Sequence, residues 1–283
     1  LVALHVDPDG GRVHLAWGRV SPDGDSLRYV QLSAEGAVVQ DRSLPLAAKS
    51  PRMVRLVSDG RGGLVMTWLS GVAEKRRLYA AHLDGHGQPL GDQMDVTGLD
   101  QEVSEYTLAA TDAGVEILWS HAGRGASRGV YHVRLDRQGQ PLSRAKRVID
   151  GGISPAVQAA ADGMLHLAWI HEPGYDEENV YYAPFDPQHQ ALGNPVRVGL
   201  FQLGLRKSRY GPALALGKDR AYVFWSWEHV VSGSSSEAGE AECHYATIPL
   251  GAAGPVEERQ VILPPTDRPE YQPTQGAYAY TQL

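Results

Sequence analysis

Five times in this chain a tryptophan closes a short apolar run, at Trp17, Trp68, Trp119, Trp169 and Trp225, and the residues just beyond it are the ones to inspect for chemistry. Two places past each stand Arg19, Ser70, His121, His171 and Trp227, which alignment of the runs puts around one rim. Guanidinium, imidazole and indole groups so placed can donate hydrogen bonds and stack. HEPGYDEEN adds Glu172 and Tyr175 to His171, and WEH adds Glu228 and His229 to Trp227. Aromatic bodies with polar tips beside carboxylates suit a sugar ring. RKSRY supplies Arg206, Arg209 and Tyr210, a cationic set suited to an anion such as a carboxylated sugar. These residues form the expected ligand-binding set.

Other chemistries find less support. His121, His171 and His229 have the residue type of a three-histidine metal site. Each belongs to a different repeat, however, and a rim spreads such positions apart, so no metal and no cofactor is expected. Glycoside hydrolysis needs two carboxyl groups about 5–10 Å apart. The apolar runs that would lie innermost, PRMVRLV, SPAVQAAA and YGPALAL, hold no acid, and only Glu102 and Glu105, near the third, are placed for such a role. That shortage favours binding over catalysis. No G-x-S-x-G, H-E-x-x-H or phosphate-binding loop occurs, so serine hydrolase, zinc protease and nucleotide chemistry lack support.

The elements that must position these residues repeat. The five tryptophans lie 51, 51, 50 and 56 residues apart. Each Trp run follows a Gly or Asp turn, and before that turn lies another short apolar stretch: LVALHV, RMVRLV, YTLAAT, AVQAAA and ALAL. After a polar loop come LRYVQL, LYAAHL, VYHVRL, VYYAPF and CHYATI, then a second turn and a short closing run such as KRVI or VRVG. These runs alternate with a period near two and are too short for stable helices. Strand, turn, strand, loop, strand, turn, strand is an antiparallel meander. Units of this length that cannot bury their faces alone point to an all-β β-propeller of four-stranded blades. Five blades are expected over residues 1–263, with repeats at approximately 1–50, 51–101, 102–152, 153–204 and 205–263. A truncated six-bladed ring is the alternative. Residues 264–283 form a tail, read as an edge strand or the start of a further blade or domain.

The repeat also assigns structural roles. The five Trp are expected between blades. Cys243 aligns with Leu27, Leu78, Val130 and Val180, an apolar column, and is read as a small core residue rather than a nucleophile. His14 and His166 share one repeat position and are read as structural.

Composition bounds the partners. The chain has 283 residues, 42% of them hydrophobic, enough for a packed core, and 32 Gly with 18 Pro mark many turns. Against 26 Lys and Arg stand 33 Asp and Glu, a net charge of -7 that argues against nucleic acid. No apolar run is long enough to span a bilayer, and a single cysteine excludes an internal disulfide framework. The first residue is Leu1 rather than Met, as in a trimmed or mature segment of a larger chain.

The pattern D-x-G-x-strand-W followed by a Tyr-bearing strand and D-x-x-G, carried by DPDGGRVHLAW, AADGMLHLAW, VYHVRLDRQG and LYAAHLDGHG, resembles the repeats of bacterial sialidase-like (BNR-type) propellers. The resemblance covers nearly the whole chain and implies an extracytoplasmic bacterial setting. The S-x-D-x-G-x-x-W box does not occur at its proper spacing and the Arg-Ile-Pro element is absent, so no catalytic residue is carried over. The two longest loops, Ser226–Glu242 and Gly199–Tyr210, flank the fifth repeat on the face that carries the candidate residues. The expectation is a non-catalytic recognition or scaffold domain that binds a glycan or a protein there. Its rivals are a sialidase-like hydrolase or lyase, with Glu102, Glu105, Glu172 or Glu228 as acids and Arg206 or Arg209 as clamp, and a purely structural domain of a larger chain.

Overall fold

A computed structural model describes residues 2–7, 10–72, 75–98, 102–121, 127–174, 177–199, 206–207, 211–229, 241–250 and 256–261. It is an all-β propeller of five blades. Blade 1 consists of β1 (Val2–Val6), β2 (Arg12–Arg19), β3 (Ser26–Ser33) and β4 (Val38–Leu44). Blade 2 is β5 (Arg52–Ser58), β6 (Leu64–Ser70), β7 (Arg77–Leu83) and β8 (Met94–Asp95), and blade 3 is β9 (Val103–Thr111), β10 (Gly114–His121), β11 (Gly129–Leu135) and β12 (Lys146–Asp150). Blade 4 contains β13 (Gly152–Ala159), β14 (Leu165–Gly174), β15 (Glu177–Asp186), the short β16 (Ala191–Leu192) and β17 (Val196–Gly199). Blade 5 contains the short β18 (Arg206–Lys207), β19 (Ala213–Leu216), β20 (Arg220–His229), β21 (Ala241–Pro249) and β22 (Glu257–Val261). The described ladders are antiparallel and follow chain order except at the short strands β16 and β18, where β15 pairs also with β17 and β18 with β20. Among the described residues no helix is long and apolar enough to cross a membrane.

Each blade turns its Trp-bearing face toward the blade before it. Trp68 packs against Ala3, Ala16, Leu27 and Tyr29 of blade 1, and Trp225 against Ala168, Val180 and Val198 of blade 4. Gly199 gives Trp225 its room: a Cβ there would stand 2.9 Å from the indole Cζ2. The second strands of the middle blades are therefore buried on both faces, in β6 and β10 along their whole length. The first and last blades differ. In β2 burial alternates, and Trp17 is the one repeat tryptophan left half-exposed. From Arg220 to Ser226 burial alternates too, and Cys243, read above as core, is half-exposed, while Leu27, Leu78, Val130 and Val180 are buried. The column is the right one. Its fifth member lies on the face that no following blade covers.

At the end of the ring opposite the long loops, polar residues tie strands and blades together. His14 is buried, with Tyr29 OH 2.6 Å from Nδ1 and Asp7 Oδ1 3.1 Å from Nε2. In the neutral ring Nε2–H donates to Asp7 and Nδ1 accepts from the tyrosine. His166 meets Tyr182 OH at 2.5 Å, and His82 meets Asp59 at 2.9 Å. Burial holds the pKa of His5, His14 and His166 below the usual imidazole value, and burial pushes the Tyr29 and Tyr182 phenols up to about 12. In blade 3, Glu116 is fully buried, 2.7 Å from His132 Nε2 and 2.6 Å from Arg134 Nε. Gln190 of blade 4 reaches the other nitrogen of His132 at 3.2 Å, which couples this cluster to the neighbouring blade.

Two outcomes follow from these groups. Removing one member of a buried charged cluster strands the others, so Glu116→Ala should cost about 3–5 kcal/mol in denaturant unfolding. The three histidines bind protons less readily folded than unfolded. Melting temperature should therefore hold steady above about pH 6.5 and decline as the unfolded-state imidazoles charge below it.

Candidate active site

The innermost strands β1, β5, β9, β13 and β19 succeed one another around the axis. Blade 3 carries an acid there. Glu105 lies in β9 opposite Ser120, next to the last residue of β10, and so at the end of the axis that bears the long loops. Its position is set by a strand irregularity in the next blade. Between Ile153 and Ala156 the register of β13 shifts, and Ser154 takes a left-handed φ of 52°. That twist turns Ser154 toward blade 3. Its N–H donates to Ser120 Oγ at 2.9 Å, and its hydroxyl donates to Glu105 Oε1 at 2.6 Å.

On the other side, β5 bulges at the matching place, between Arg52 and Arg55, where Met53 has a φ of 49°. The Met53 carbonyl accepts from Tyr106 OH, which also lies 3.0 Å from Thr67 Oγ1. The Arg55 guanidinium stands 5.5 Å from the centre of the Tyr106 ring, and its Nε is buried without a hydrogen-bond partner. Burial raises the Glu105 carboxyl above the ordinary glutamate pKa, against Ser154, Arg55 and Ser120, which each pull it down. A carboxyl kept protonated into a higher pH range, fixed by two serines and accompanied by the Arg55 cation, can deliver a proton.

The expected ligand-binding residues take different places. Arg19 ends β2 and is exposed. His121 is buried, with Nδ1–H donating to the Glu102 carbonyl at 2.9 Å and its ring edge-on to Tyr131. His171 makes the same edge contact with Tyr181. Both extend the Trp119–Tyr131 and Trp169–Tyr181 stacks and thereby hold loop ends in place. Glu172 follows His171 in β14, where the register shifts. β18 pairs with the end of β20, setting Arg206 opposite His229 and Lys207 opposite Glu228, with Trp227 opposite Glu242 of β21. Tyr175, Arg209 and Tyr210 lie outside the described residues. Among the described residues no three His, Cys, Asp or Glu side chains come together as metal ligands.

Comparison with known proteins bears on the fold. No protein-family model matches the sequence, and no curated protein matches it. Solved structures do. An exo-β-1,3-galactanase from Clostridium thermocellum superposes with a TM-score of 0.51 at 10% identity, over 92% of this chain and 60% of that one. A structure from Bifidobacterium bifidum s17, described as a candidate exo-β-1,3-galactanase, gives 0.50 at 11% identity over 91% and 90%. An α-L-arabinofuranosidase from Lactobacillus brevis gives 0.48 at 10% identity over 87% and 89%. This chain has their fold. The likeness is to propellers bearing these names and does not single out the sialidase-like group. The expected non-catalytic recognition or scaffold role is thereby corrected: the two structures that superpose with a TM-score of 0.50 or more both bear the name of a galactanase.

Arg55, Ser120, Ser154 and Tyr106, the surroundings of the candidate Glu105, are not among the residues expected from the sequence. One signal was available: a pair of arginines, Arg52 and Arg55, in an otherwise apolar inner strand. Replacing Arg55 by Met removes a cation that lowers the Glu105 pKa. The carboxyl should then titrate at a higher pH than in the parent protein, as followed by infrared or NMR titration of the glutamate.

Proposed function

We propose that this chain is a glycoside hydrolase in which Glu105 protonates the departing glycosidic oxygen. The shielded Glu105 carboxyl carries the reading. It lies at the loop-bearing end of the axis, is oriented by Ser154, and has its pKa raised by burial. In the reaction the bond from the anomeric carbon to the leaving oxygen breaks. The Glu105 proton passes to that oxygen, and a second carboxylate either activates water or attacks the anomeric carbon. Glu172 and Glu228, at the loop-bearing ends of β14 and β20, are the candidates for that second role. The Arg55 guanidinium, whose Nε has no hydrogen-bond partner, donates to a substrate oxygen or carboxylate beside the cleaved bond. The galactanases that share the fold make β-linked galactan the first substrate to try. A polysaccharide substrate also fits the extracytoplasmic setting that the repeat resemblance implies. Sialidase chemistry is not part of this reading, since the sequence lacks that group's Arg-Ile-Pro element.

The test is release of reducing sugar from a panel of galactans, arabinans and chromogenic glycosides. Glu105→Gln should lower kcat by about 10²–10⁴-fold while leaving the melting temperature near that of the parent. The parent's activity should fall as pH rises through the Glu105 pKa, and Arg55→Met should move that descending limb to higher pH. Turnover unaffected by Glu105→Gln would refute the assignment.

A further inference from the structure

The inner strand of blade 2 carries two arginines, Arg52 and Arg55, and the bulge in β5 brings them to one face. Arg52 pairs with Leu69 and Arg55 with Thr67, so three steps along β5 match two along β6. Leu69 and Thr67, two apart, point to the same side of the sheet, and their direct partners share that side. In a regular strand, residues three apart would point to opposite sides; the extra residue of the bulge cancels that. The shared side is the one turned to blade 3. Leu69 belongs to the apolar cluster that holds Val103 and Tyr106, and the Arg55 guanidinium lies over the Tyr106 ring.

The repeat sets the heights. Arg52 lies opposite Leu69, Glu105 opposite Ser120 and Ile153 opposite Ile170, and each of these partners directly follows its repeat Trp. Arg52 and Glu105 therefore stand level on neighbouring inner strands, with Arg55 at the next ladder pair. The matching residues of blade 4, Ile153 and Ala156, are apolar.

The protein supplies no counter-ion for this pair. Among the described residues the arginine ion pairs are Arg12–Asp7, Arg28–Asp41, Arg77–Asp95, Arg134–Glu116 and Arg147–Asp150, and neither Arg52 nor Arg55 takes part in one. Arg52 is exposed, and the Arg55 Nε is buried without a hydrogen-bond partner. Glu105 is near enough to feel the Arg55 charge, but its Oε1 accepts from the Ser154 hydroxyl. Two like charges on one face of a strand repel, and a buried N–H without an acceptor is costly, unless an anion joins them. The planar fork of a guanidinium matches a carboxylate.

We propose that Arg52 and Arg55 bind the carboxylate of a uronic acid residue adjoining the cleaved bond, so that the substrate is an acidic glycan. This rests on the hydrolase reading with Glu105 as proton donor. The substrate carboxylate lies toward blade 2, and Ser154 holds the acid from blade 4.

Two readouts separate this assignment from the reading beneath it. The first needs no turnover. Glu105→Gln protein is titrated calorimetrically with oligogalacturonates and with glucuronate-bearing galactan fragments, each also after reduction of its carboxyl groups to primary alcohols. For at least one of them the acidic form should bind about 10–100-fold more tightly than the reduced form, the worth of hydrogen bonds to a charged group. Adding Arg52→Met or Arg55→Met should remove most of that difference, and Arg52, being exposed, can be replaced without disturbing the fold. The second readout is turnover. On Arg52→Met alone, the ratio of kcat/KM for the acidic over the reduced substrate should fall by a similar factor, chiefly through KM. Failure of every acidic form to bind, equal affinity for both forms, or a preference that survives both substitutions would overturn the inference, even where neutral galactan is cleaved in a Glu105-dependent way. Tighter binding of a sulfated glycan would overturn the uronate assignment. Arginine-dependent binding of the acidic form without Glu105-dependent turnover would uphold the carboxylate site and count against Glu105 as proton donor.

Discussion

The structure depends on burying one indole, Trp68, Trp119, Trp169 or Trp225, at each interface between successive blades. An aromatic side chain of this size hides roughly 150–250 Å² of surface, worth about 4–6 kcal/mol at about 25 cal/mol per Å². The indole nitrogens of Trp68, Trp119 and Trp225 are buried without a hydrogen-bond partner, a cost of about 1–3 kcal/mol each. The apolar term wins at every interface, so the contact is favourable without any polar anchor. It also fixes geometry: Gly199 must stay small, and every second strand must present its Trp at the same height. The tyrosines and histidines of neighbouring strands then stack on that height, which sets where the loops leave the sheet.

The candidate site uses departures from this regularity. Where β5 and β13 bulge, residues at positive φ turn a carbonyl or a hydroxyl sideways into the next blade. A straight ladder would keep those groups within their own sheet. The bulge at Ser154 supplies the bond that orients Glu105, and the bulge at Met53 supplies the acceptor for Tyr106, over which Arg55 lies. Chemistry is thus built at boundaries between blades, from residues about 50 positions apart that belong to different repeats.

This explains what could be read from the residues alone. The Trp spacing and the alternating runs contain the blade pattern, because the packing that needs them recurs at one period. Glu105 was visible as an acid in the wrong company, close to an inner strand. Its partners were not visible, because Ser154 meets it only through a register shift that no alternation pattern encodes. His121 and His171 sit where the repeat alignment puts them, and the alignment did not reveal that each ring lies edge-on to a tyrosine of the next strand, Tyr131 or Tyr181. Cys243 was assigned the correct column, and its exposure follows from its being in the last blade.

The contrast between strands buried on both faces and strands buried on one has a kinetic meaning. Amide protons in β6 and β10 can exchange with solvent only when two blade interfaces part, whereas those in β2 and β20 need only one to open. The ring therefore has ends in its energetics although its blades repeat, as stacked-repeat proteins do. Opening spreads inward from the first and fifth blades, and the Glu105 cluster, held between the second, third and fourth, sits in the part that opens last.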